Sequence, residues 1–276
     1  MPALERLTGL VDAVVCDRRE PSPGIVVIGV LAPALAQNAH PGQFVMALTP
    51  LGERVATAVA VYGCDGDRAS LMLVVVGPRT RALSALREGE PLTLLGPLGN
   101  GFDVATLGND VALVAGGVGI ASLALLAREL LADGRRVHVY YGARTAEALV
   151  DAEMFAALGA SVSLATDDGS RGYHGYVTEL FGSEARAYSG IAACGPTPML
   201  RAISRIVPPS GARMQLSLEE PFACGVGACW GCVVGIDRSS PQAPAFPAPA
   251  HGERREFAHA RICTEGPVFF ADELRW

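Results

Sequence analysis

Short runs of apolar and β-branched residues alternate with polar turns along the first 103 residues of the chain. The runs predict strands at residues 11–15, 24–30, 43–49, 56–62, 70–76 and 91–95. Turns rich in proline, glycine and aspartate separate them, and one short helix is predicted at residues 80–87. Many short strands with regular turn signals are typical of a closed barrel or a sandwich. We therefore predict an all-β first domain over residues 1–103.

Between residues 104 and 213 the pattern changes to strands that alternate with helices. Buried strands are predicted at residues 111–115, 137–141, 161–165 and 190–193. Helices are predicted at residues 121–131, 147–158, 177–181 and 197–206. This alternation indicates a parallel sheet whose strands are joined by crossover connections. The second domain is therefore expected to be a doubly wound α/β domain.

Residues 214–276 are rich in cysteine and glycine and carry few helix signals, so they predict a small third domain. Within it, residues 239–250 form a low-complexity insert of serine, proline and alanine. Such a composition favours an extended or mobile loop. The insert either contacts a partner or is tolerated decoration without a role of its own.

Composition narrows the class of protein. Hydrophobic residues make up 50% of the 276 residues and charged residues 18%, which excludes global disorder. No apolar run reaches the roughly 18–20 residues that span a bilayer. Charged residues interrupt the N-terminal stretch, so we expect no signal peptide and a cytoplasmic location. The net charge of −6 disfavours nucleic acid as a partner.

Cysteine spacing gives the first indication of chemistry. Three of the 7 cysteines lie in the run Cys224-Gly-Val-Gly-Ala-Cys229-Trp-Gly-Cys232, and Cys263 follows downstream. This is the plant-type spacing of a [2Fe–2S] cluster, and the glycines let the backbone wrap around the sulfurs. A zinc site, which prefers two close cysteine pairs, and a set of free buried thiols are the alternatives. The odd number of cysteines in a chain without an export signal argues against a disulfide framework.

A glycine-rich turn follows the first strand of the second domain. Gly116, Gly117, Val118 and Gly119 join this strand to the next predicted helix. Glycine allows a pyrophosphate to approach the backbone, and a helix N-terminus offers free N–H groups and the positive end of its dipole. The same residues also fit a plain strand–helix turn, so the turn by itself is a weak signal.

Three further strand ends carry glycine or polar residues. They are Tyr141-Gly142-Ala143-Arg144, Thr166-Asp167-Asp168-Gly169 and Cys194-Gly195-Pro196. Ligands of open α/β sheets bind at the carboxyl ends of the strands. Together with the glycine turn, these segments therefore predict one dinucleotide cleft, although each taken singly also fits an ordinary turn.

The order of the predicted domains is accompanied by more specific motifs. They are Leu95-Gly96-Pro97-Leu98-Gly99-Asn100-Gly101-Phe102, Thr166-Asp167-Asp168-Gly169-Ser170, Gly175-Tyr176-Val177-Thr178, Ser217-Leu218-Glu219, the cysteine run and Cys263-Thr-Glu-Gly266-Pro267-Val268-Phe269. With these motifs, nearly the whole chain resembles the ferredoxin–NADP reductase superfamily. Within that superfamily it resembles the electron-transfer subunits of dihydroorotate dehydrogenase B.

The resemblance implies an antiparallel β-barrel that binds FAD, an α/β domain that binds NAD(H) and a small C-terminal [2Fe–2S] domain. In this family FAD accepts a hydride from NADH and passes single electrons to the cluster. The cluster then supplies the FMN of a separate catalytic subunit, which interconverts dihydroorotate and orotate in pyrimidine biosynthesis. Flavin is needed because nicotinamide moves two electrons as a hydride and the cluster takes one at a time. A heterotetramer of two subunit pairs is also implied.

The resemblance also assigns residues to the flavin. The family's Arg-x-x-Ser run matches Arg54-Val55-Ala56-Thr57, where the hydroxyl is kept and the usual proline is missing. A second element, usually ending in Gly-Thr, appears as Gly77-Pro78-Arg79-Thr80, where Arg79 replaces glycine. Leu73, Val74 and Val75 complete the expected FAD contacts. Arg54 would meet the FAD pyrophosphate, and a solvated strand charge is the alternative.

Three assignments near the nicotinamide cofactor have alternatives. Cys194 corresponds to the superfamily's cysteine near the nicotinamide ring, where we expect a positioning role and not nucleophilic catalysis; a buried structural cysteine is the alternative. Asp167 and Asp168 are either ribose contacts or turn residues. Arg144 is placed to meet an adenosine phosphate, but one arginine does not decide between NAD and NADP.

Two other functions stay open at this point. One is the reductase subunit of a different flavin and iron–sulfur complex, which the altered flavin elements and the insert leave room for. The other is a flavin-free module that relays electrons or assists assembly.

Overall fold

The computed structural model of the chain describes residues 9–48, 56–184, 188–206, 211–243 and 257–276. Its N-terminal part is a closed barrel with the strand order β1-β2-β5-β4-β3-β6. The strands are β1 (Leu10–Ser22), β2 (Ile25–Leu31), β3 (Phe44–Leu48), β4 (Thr57–Asp65), β5 (Arg68–Val74) and β6 (Pro91–Leu98). Each strand is antiparallel to its neighbours. The first domain is therefore a barrel and not a sandwich.

Apolar side chains from every strand fill the barrel. Val30, Val61 and Leu94 have 0% exposure, and burying one such side chain stabilises the fold by about 1.5–3 kcal/mol. Two short helices, α1 (Pro33–Asn38) and α2 (Pro78–Ser84), each add a buried leucine to this core. Helix α1 is not among the predicted elements, and α2 begins and ends earlier than the predicted helix at residues 80–87.

The second part of the chain is built on a seven-stranded sheet with the order β10-β9-β8-β7-β11-β12-β15. Its strands are β7 (Asp110–Gly116), β8 (Arg136–Ala143), β9 (Ser161–Thr166), β10 (Tyr173–His174), β11 (Gly190–Cys194), β12 (Arg213–Ser217) and β15 (Val268–Phe270). Neighbouring strands are parallel except for β15, which is antiparallel to β12.

Helices cover both faces of this sheet, so the α/β domain is doubly wound as predicted. The helices are α3 (Ile120–Ala132), α4 (Ala152–Ala157), α5 (Val177–Ser183) and α6 (Thr197–Ser204). Helices α3 and α4 share a core with Leu113 of β7, whereas α5 and α6 share a core with the adjacent Val114. A strand buried on both faces reads as a continuous apolar run, which is why residues 111–115 carry no polar residue. None of the described helices is long and apolar enough to cross a bilayer.

The helix predicted at residues 147–158 is wrong over its first part. A 3-10 turn (Ala146–Ala148) precedes an irregular stretch, and α4 begins only at Ala152. Asp151 has a φ of +53°, and its carboxylate is bound by Arg19 of the barrel. A contact between residues far apart in the chain thus overrides the local helix pattern.

The C-terminal residues contribute to two sheets. Strands β13 (Val233–Asp237), β14 (Phe257–Arg261) and β16 (Leu274–Arg275) form an antiparallel sheet in the order β14-β13-β16. Strands β12 and β15 belong to the large sheet, although nearly all of their residues follow the predicted domain limit at residue 213. The domain limits after residues 103 and 213 therefore stay predictions. The predicted insert begins with a packed turn, where Gln242 donates to the carbonyl of Glu265 at 3.1 Å. Its residues 244–250 lie outside the described residues.

Candidate functional site

A cleft of about 540 Å³ lies between the barrel and the α/β domain, and we call it the barrel cleft. Its walls come from β4, β5 and α2 on the barrel side, and from the start of α3 and residues 217–222 on the other. The predicted FAD residues that line it are Thr57, Leu73, Val74, Arg79 and Thr80. Ala56 and Val75 instead pack against hydrophobic cores. Arg54 and Val55 lie outside the described residues.

The hydroxyl of Thr80 fixes the start of α2. Its Oγ1 accepts hydrogen bonds from the backbone N–H groups of Val76 (2.9 Å) and Gly77 (3.0 Å), so threonine closes the turn before the helix. The neighbouring Arg79 donates to the carbonyl of Ala56 at 3.3 Å, which ties α2 to the start of β4. Arg79 thereby places a guanidinium in the wall of the barrel cleft, and a guanidinium is a group that binds phosphate well.

A second cleft of about 610 Å³, the sheet cleft, lies at the carboxyl ends of β7, β8, β9 and β11. The predicted NAD residues in its walls are Gly116, Gly117, Val118, Gly142, Arg144, Asp167 and Pro196. The four sequence segments meet here because the carboxyl ends of parallel strands share one edge of the sheet. Arg144 and Asp167 bring opposite charges to this cleft, and Tyr176 and Met199 add to its walls.

The glycine turn leads from β7 through a 3-10 turn (Gly117–Gly119) into α3. Gly117 has a φ of +53°, and a Cβ there would meet no atom within 4 Å, so this part of the turn faces open space. A Cβ at Gly119 would lie 2.3 Å from the carbonyl oxygen of Cys194, so only glycine lets α3 pack against the end of β11. No described side chain caps α3, and the N–H of Ile120, the first residue of the helix, donates to the carbonyls of Gly117 and Val118 in the 3-10 turn.

Four of the predicted NAD residues are not among those that line the sheet cleft; they are Gly119, Tyr141, Asp168 and Gly195. The Tyr141 hydroxyl points into the core and accepts a hydrogen bond from the N–H of Val150 at 3.1 Å. Asp168 accepts a hydrogen bond from the N–H of Ser170 at 3.0 Å and so stabilises its own turn. The two glycines serve the close packing of backbone segments beneath the cleft.

The two clefts meet at Val118 and Glu219, which line both of them. Glu219 follows β12, and its Oε1 lies 3.6 Å from the sulfur of Cys194 at the end of β11. Cys194 has 0% exposure. Burial, followed by the charge of Glu219, raises the pKa of this thiol well above its ordinary value. The thiol is therefore protonated and donates a hydrogen bond to Glu219. A buried, protonated thiol is a weak nucleophile.

Glu219 lines both clefts but is not among the site residues predicted from the sequence, and neither are Tyr176 and Met199. Burial raises the pKa of Glu219, although the hydrogen bond from Cys194 opposes this rise. The sequence signal is an acid directly behind an apolar strand, in the motif Ser217-Leu218-Glu219. Its partner lies 25 residues away in the chain, so only the fold brings the two side chains together.

The cysteine loop, residues 224–232, surrounds the sulfur of Cys224 with backbone donors. The N–H of Cys229 lies 3.4 Å from that sulfur, and further N–H groups of the loop are directed at it. Burial raises the pKa of Cys224, but these hydrogen bonds outweigh burial and lower the pKa to about 7. The loop itself therefore stabilises a thiolate at this position.

Cys232 and Cys263 form a second pair of sulfurs. Burial and the hydrogen-bonded Cys232 raise the pKa of Cys263 to about 12, and the more distant Cys224 acts on it as well. Within the described residues, no three His, Cys, Asp or Glu side chains surround one point as a single metal ion would need. The four sulfurs form two neighbouring pairs, and the two irons of a [2Fe–2S] cluster take two ligands each.

The cysteine loop lies directly beside the barrel cleft. The segment before the loop forms a wall of that cleft, and the ring of Phe222 packs on that of Phe44 in β3 with 4.7 Å between centroids. A Cβ at Gly225 would lie 2.6 Å from the sulfur of Met46, also in β3, so glycine lets the loop approach the barrel. One continuous segment thus connects the meeting point of the two clefts with the cysteine loop.

The chain is similar to proteins of known families. Residues 113–205 match the family described as the oxidoreductase NAD-binding domain. The chain is 36% identical over 252 residues to the dihydroorotate dehydrogenase B (NAD(+)) electron transfer subunit of Desulforamulus reducens, which covers 89% of this chain and 90% of that one. It is 34% identical over 235 residues to the protein of the same name from Caldanaerobacter subterraneus, with 85% and 87% covered. The chain belongs to the family of electron-transfer subunits of dihydroorotate dehydrogenase B.

The fold of this family member also occurs in the solved structure of an NADH-dependent reduced ferredoxin–NADP oxidoreductase that performs flavin-based electron bifurcation. The two share 26% sequence identity and a TM-score of 0.79, over 96% of this chain and 90% of the other. Family membership and this likeness identify the chain as a subunit of an oxidoreductase. They also confirm the expected fold, a closed antiparallel barrel followed by a parallel-sheet α/β domain.

Proposed function

We propose that this chain takes electrons from NADH and passes them through FAD and a [2Fe–2S] cluster to the FMN-containing catalytic subunit of dihydroorotate dehydrogenase, in pyrimidine biosynthesis. One observation carries the proposal: the barrel cleft and the sheet cleft meet at Glu219, and the cysteine loop continues from the same wall. An electron path needs its centres close together, and this arrangement sets three candidate sites side by side. The names of the two relatives support the same assignment.

The barrel cleft is the proposed FAD site. Its volume of about 540 Å³ lies within the ordinary range of cofactor pockets. Apolar side chains such as Leu73 suit a flavin ring, the hydroxyl of Thr57 suits its polar edge, and the guanidinium of Arg79 suits a pyrophosphate. We keep Arg54 as the second pyrophosphate ligand on the strength of the sequence motif. When bound, FAD supplies the conversion of a hydride into single electrons.

The sheet cleft is the proposed NADH site. The glycine turn, which faces open space at Gly117, and the positive end of the α3 dipole suit the pyrophosphate. The carboxylate of Asp167 suits a ribose hydroxyl and would repel the 2′-phosphate of NADPH, so we propose NADH as the donor. Cys194 and Glu219, where the clefts meet, would position the nicotinamide end.

The cysteine loop and Cys263 are the proposed ligands of the cluster, through Cys224, Cys229, Cys232 and Cys263. The donor set fits: four sulfurs lie in two neighbouring pairs, and backbone N–H groups are already directed at one of them. Such hydrogen bonds stabilise cluster sulfurs and tune the potential. When bound, the cluster supplies one-electron transfer.

The direct test is an anaerobic visible absorption spectrum of the purified chain before and after addition of NADH. We expect flavin and iron–sulfur bands that both bleach promptly. With the purified FMN-containing subunit present, the complex should reduce orotate to dihydroorotate. In this reaction NADH is oxidised to NAD⁺ and one proton is taken up. Cluster bands without flavin bands, or a spectrum that NADH does not change, would contradict the proposal and favour a flavin-free relay module.

Two cysteine variants sharpen this test. Cys229 is an exposed member of the cysteine loop, whereas Cys64 lies in β4 of the barrel. We expect C229S to lose the iron–sulfur bands while NADH still bleaches the flavin, and C64S to behave as the wild type. If C229S keeps its full iron and sulfide content, the assignment of the loop to the cluster fails.

A reductase subunit of a different flavin and iron–sulfur complex is the second candidate. The likeness to the bifurcating oxidoreductase, which extends over 96% of this chain, favours it. Co-purification separates the two candidates. A heterotetramer with two dihydroorotate-oxidising subunits, assembled in the cytoplasm, supports the first, and assembly with a different flavoprotein supports the second.

A further inference from the structure

Arg261 is the last residue of β14 and lies two positions before Cys263. Its guanidinium reaches away from its own strand to the cysteine loop, where Nη1 donates to the carbonyl oxygen of Gly227 at 3.1 Å. Gly227 has a φ of +77°, and a Cβ there would lie 2.9 Å from the same Nη1. Glycine at 227 therefore makes room for the guanidinium.

Trp230 provides a second contact between Arg261 and the loop. The guanidinium carbon lies 5.0 Å from the centre of the indole ring, within the distance of a cation–π interaction. Trp230 has a φ of +58°, a left-handed conformation that is unusual for a bulky residue. Since such a conformation costs free energy, contacts such as this one have to hold it in place.

Glu265 fixes the other side of the guanidinium. Nη2 of Arg261 donates to Oε1 at 2.5 Å and Nε donates to Oε2 at 3.0 Å, which is a two-pronged ion pair. The Glu265 side chain is only 12% exposed. Its backbone carbonyl accepts hydrogen bonds from the side chains of Asn100 (2.8 Å) and Gln242 (3.1 Å). Arg261 is thus held from a rigid base while it contacts the loop.

The position of the guanidinium gives it a second effect, through its charge. Arg261 lies two positions before Cys263, and its guanidinium contacts Gly227 between Cys224 and Cys229, so its positive charge lies beside both ligand segments. A fixed positive charge beside thiolates favours the form of a bound group that carries more negative charge. Reduction adds negative charge, so Arg261 favours the reduced form, and Glu265 partly cancels this effect.

We propose that Arg261 is a positioning residue, which holds the cysteine loop against the segment of Cys263 and raises the reduction potential of the cluster bound between them. The inference rests on the proposed function, because it concerns the same four cysteines. The Arg261 side chain adds to the backbone hydrogen bond between the two ligand segments, which runs from the N–H of Ile262 to the carbonyl of Cys232 at 2.7 Å. Its partners are Gly227, Trp230 and Glu265. The charge of this side chain acts on the reduction potential, whereas its hydrogen bonds and ring contact act on the position of the loop. Different substitutions can therefore test the two effects separately.

The experiment compares four variants of the full chain after anaerobic purification. For each, the iron and sulfide content, the electron paramagnetic resonance spectrum of the reduced cluster and its midpoint potential are measured. R261Q removes the positive charge, E265Q removes the opposing charge, and R261K keeps the charge without the planar fork. R275Q is the matched control, because Arg275 lies in the same small sheet and pairs with Asp237.

We expect R261Q to shift the midpoint potential to more negative values and E265Q to shift it to more positive values. R261K should keep a potential close to that of the wild type but change the resonance g-values, since lysine cannot reproduce the fork and the ring contact. R275Q should change neither quantity. These opposite shifts would not arise from a merely structural role.

Two results would overturn the inference. One is an R261Q variant with full iron content and the wild-type potential, and the other is a shift of R261Q and E265Q in the same direction. Should R261Q bind no iron, R261K decides: wild-type g-values overturn the inference and altered g-values support it. A wild-type chain without iron and sulfide overturns the proposed function itself, and an iron-loaded wild type with unaltered variants overturns only the role of Arg261.

Discussion

Cys194 and Glu219 show how one buried residue pair combines binding geometry with a cost in stability. The thiol is protonated and donates to a carboxylate whose pKa burial has raised. Ionising a buried acid with a raised pKa costs more free energy in the folded state than in the unfolded state, so this acid lowers the stability of the fold at neutral pH. The folded state holds its proton more tightly than the unfolded state does, so stability falls as pH rises from the unfolded pKa through the folded pKa.

We therefore predict opposite effects of E219Q on stability and on rate. At pH 7 the variant should unfold at a higher urea concentration than the wild type, and this advantage should shrink as pH falls towards about 4.3, the ordinary pKa of glutamate. The rate of flavin bleaching by NADH should fall by about 10- to 100-fold, because small displacements at a reacting centre cost this much. E129Q, on the exposed side of α3, is the control and should change neither property. A destabilised E219Q with a wild-type rate contradicts the prediction.

At the scale of the element, the approach of α3 to the end of β11 decides the shape of the sheet cleft. A Cβ at Gly119 would lie 2.3 Å from the carbonyl oxygen of Cys194, and both atoms belong to rigid backbone regions. We predict that G119A lowers the free energy of unfolding by about 1–3 kcal/mol, the usual effect of overpacking, and weakens NADH binding. Urea unfolding and NADH titration measure the two effects.

Gly63 is the matched control for this substitution. It lies in β4, and a Cβ there would meet no atom within 4 Å, so G63A should leave NADH binding unchanged. Equal effects of G63A and G119A on NADH binding would show that the close approach of α3 to β11 has no influence on the cleft.

Local chemistry explains which elements the sequence could predict. The strand, glycine turn and helix around residues 111–131 are encoded within one short segment, and so is the spacing of the cysteine loop. Strand β15, only Val268–Phe270, joins the large sheet through its register with β12, which no local pattern encodes. The helix pattern at residues 147–158 fails because Asp151 takes partners in the barrel. Glu219 likewise acquires its role from Cys194, far away in the chain.

At the scale of the whole molecule, an ion pair between Arg19 and Asp151 joins the barrel to the α/β domain. Arg19 of β1 donates to both carboxylate oxygens of Asp151, at 2.9 and 2.5 Å, and the hydroxyl of Tyr62 in β4 donates at 2.7 Å. Tyr62 is only 5% exposed. Burial raises the pKa of Asp151, but the hydrogen bonds from Arg19 and Tyr62 outweigh it, so the pKa lies below its ordinary value of 3.8.

We predict that D151N destabilises the protein by about 1.5–3 kcal/mol at pH 7, the range for hydrogen bonds to a charged group. Asparagine tolerates the left-handed backbone at this position, so the substitution removes the charge without adding backbone strain. A depressed carboxylate pKa contributes stability above the unfolded pKa and loses it as pH falls through the folded pKa. The difference in unfolding free energy between wild type and D151N should therefore stay constant from pH 8 to about pH 5 and shrink below about pH 4.

D110N, which loses an ion pair to the exposed Arg136 within the α/β domain, is the control and should cost less than about 1 kcal/mol. Urea unfolding across this pH range measures both variants, and a D151N effect no larger than that of D110N would mean that the contact does not hold the two domains together.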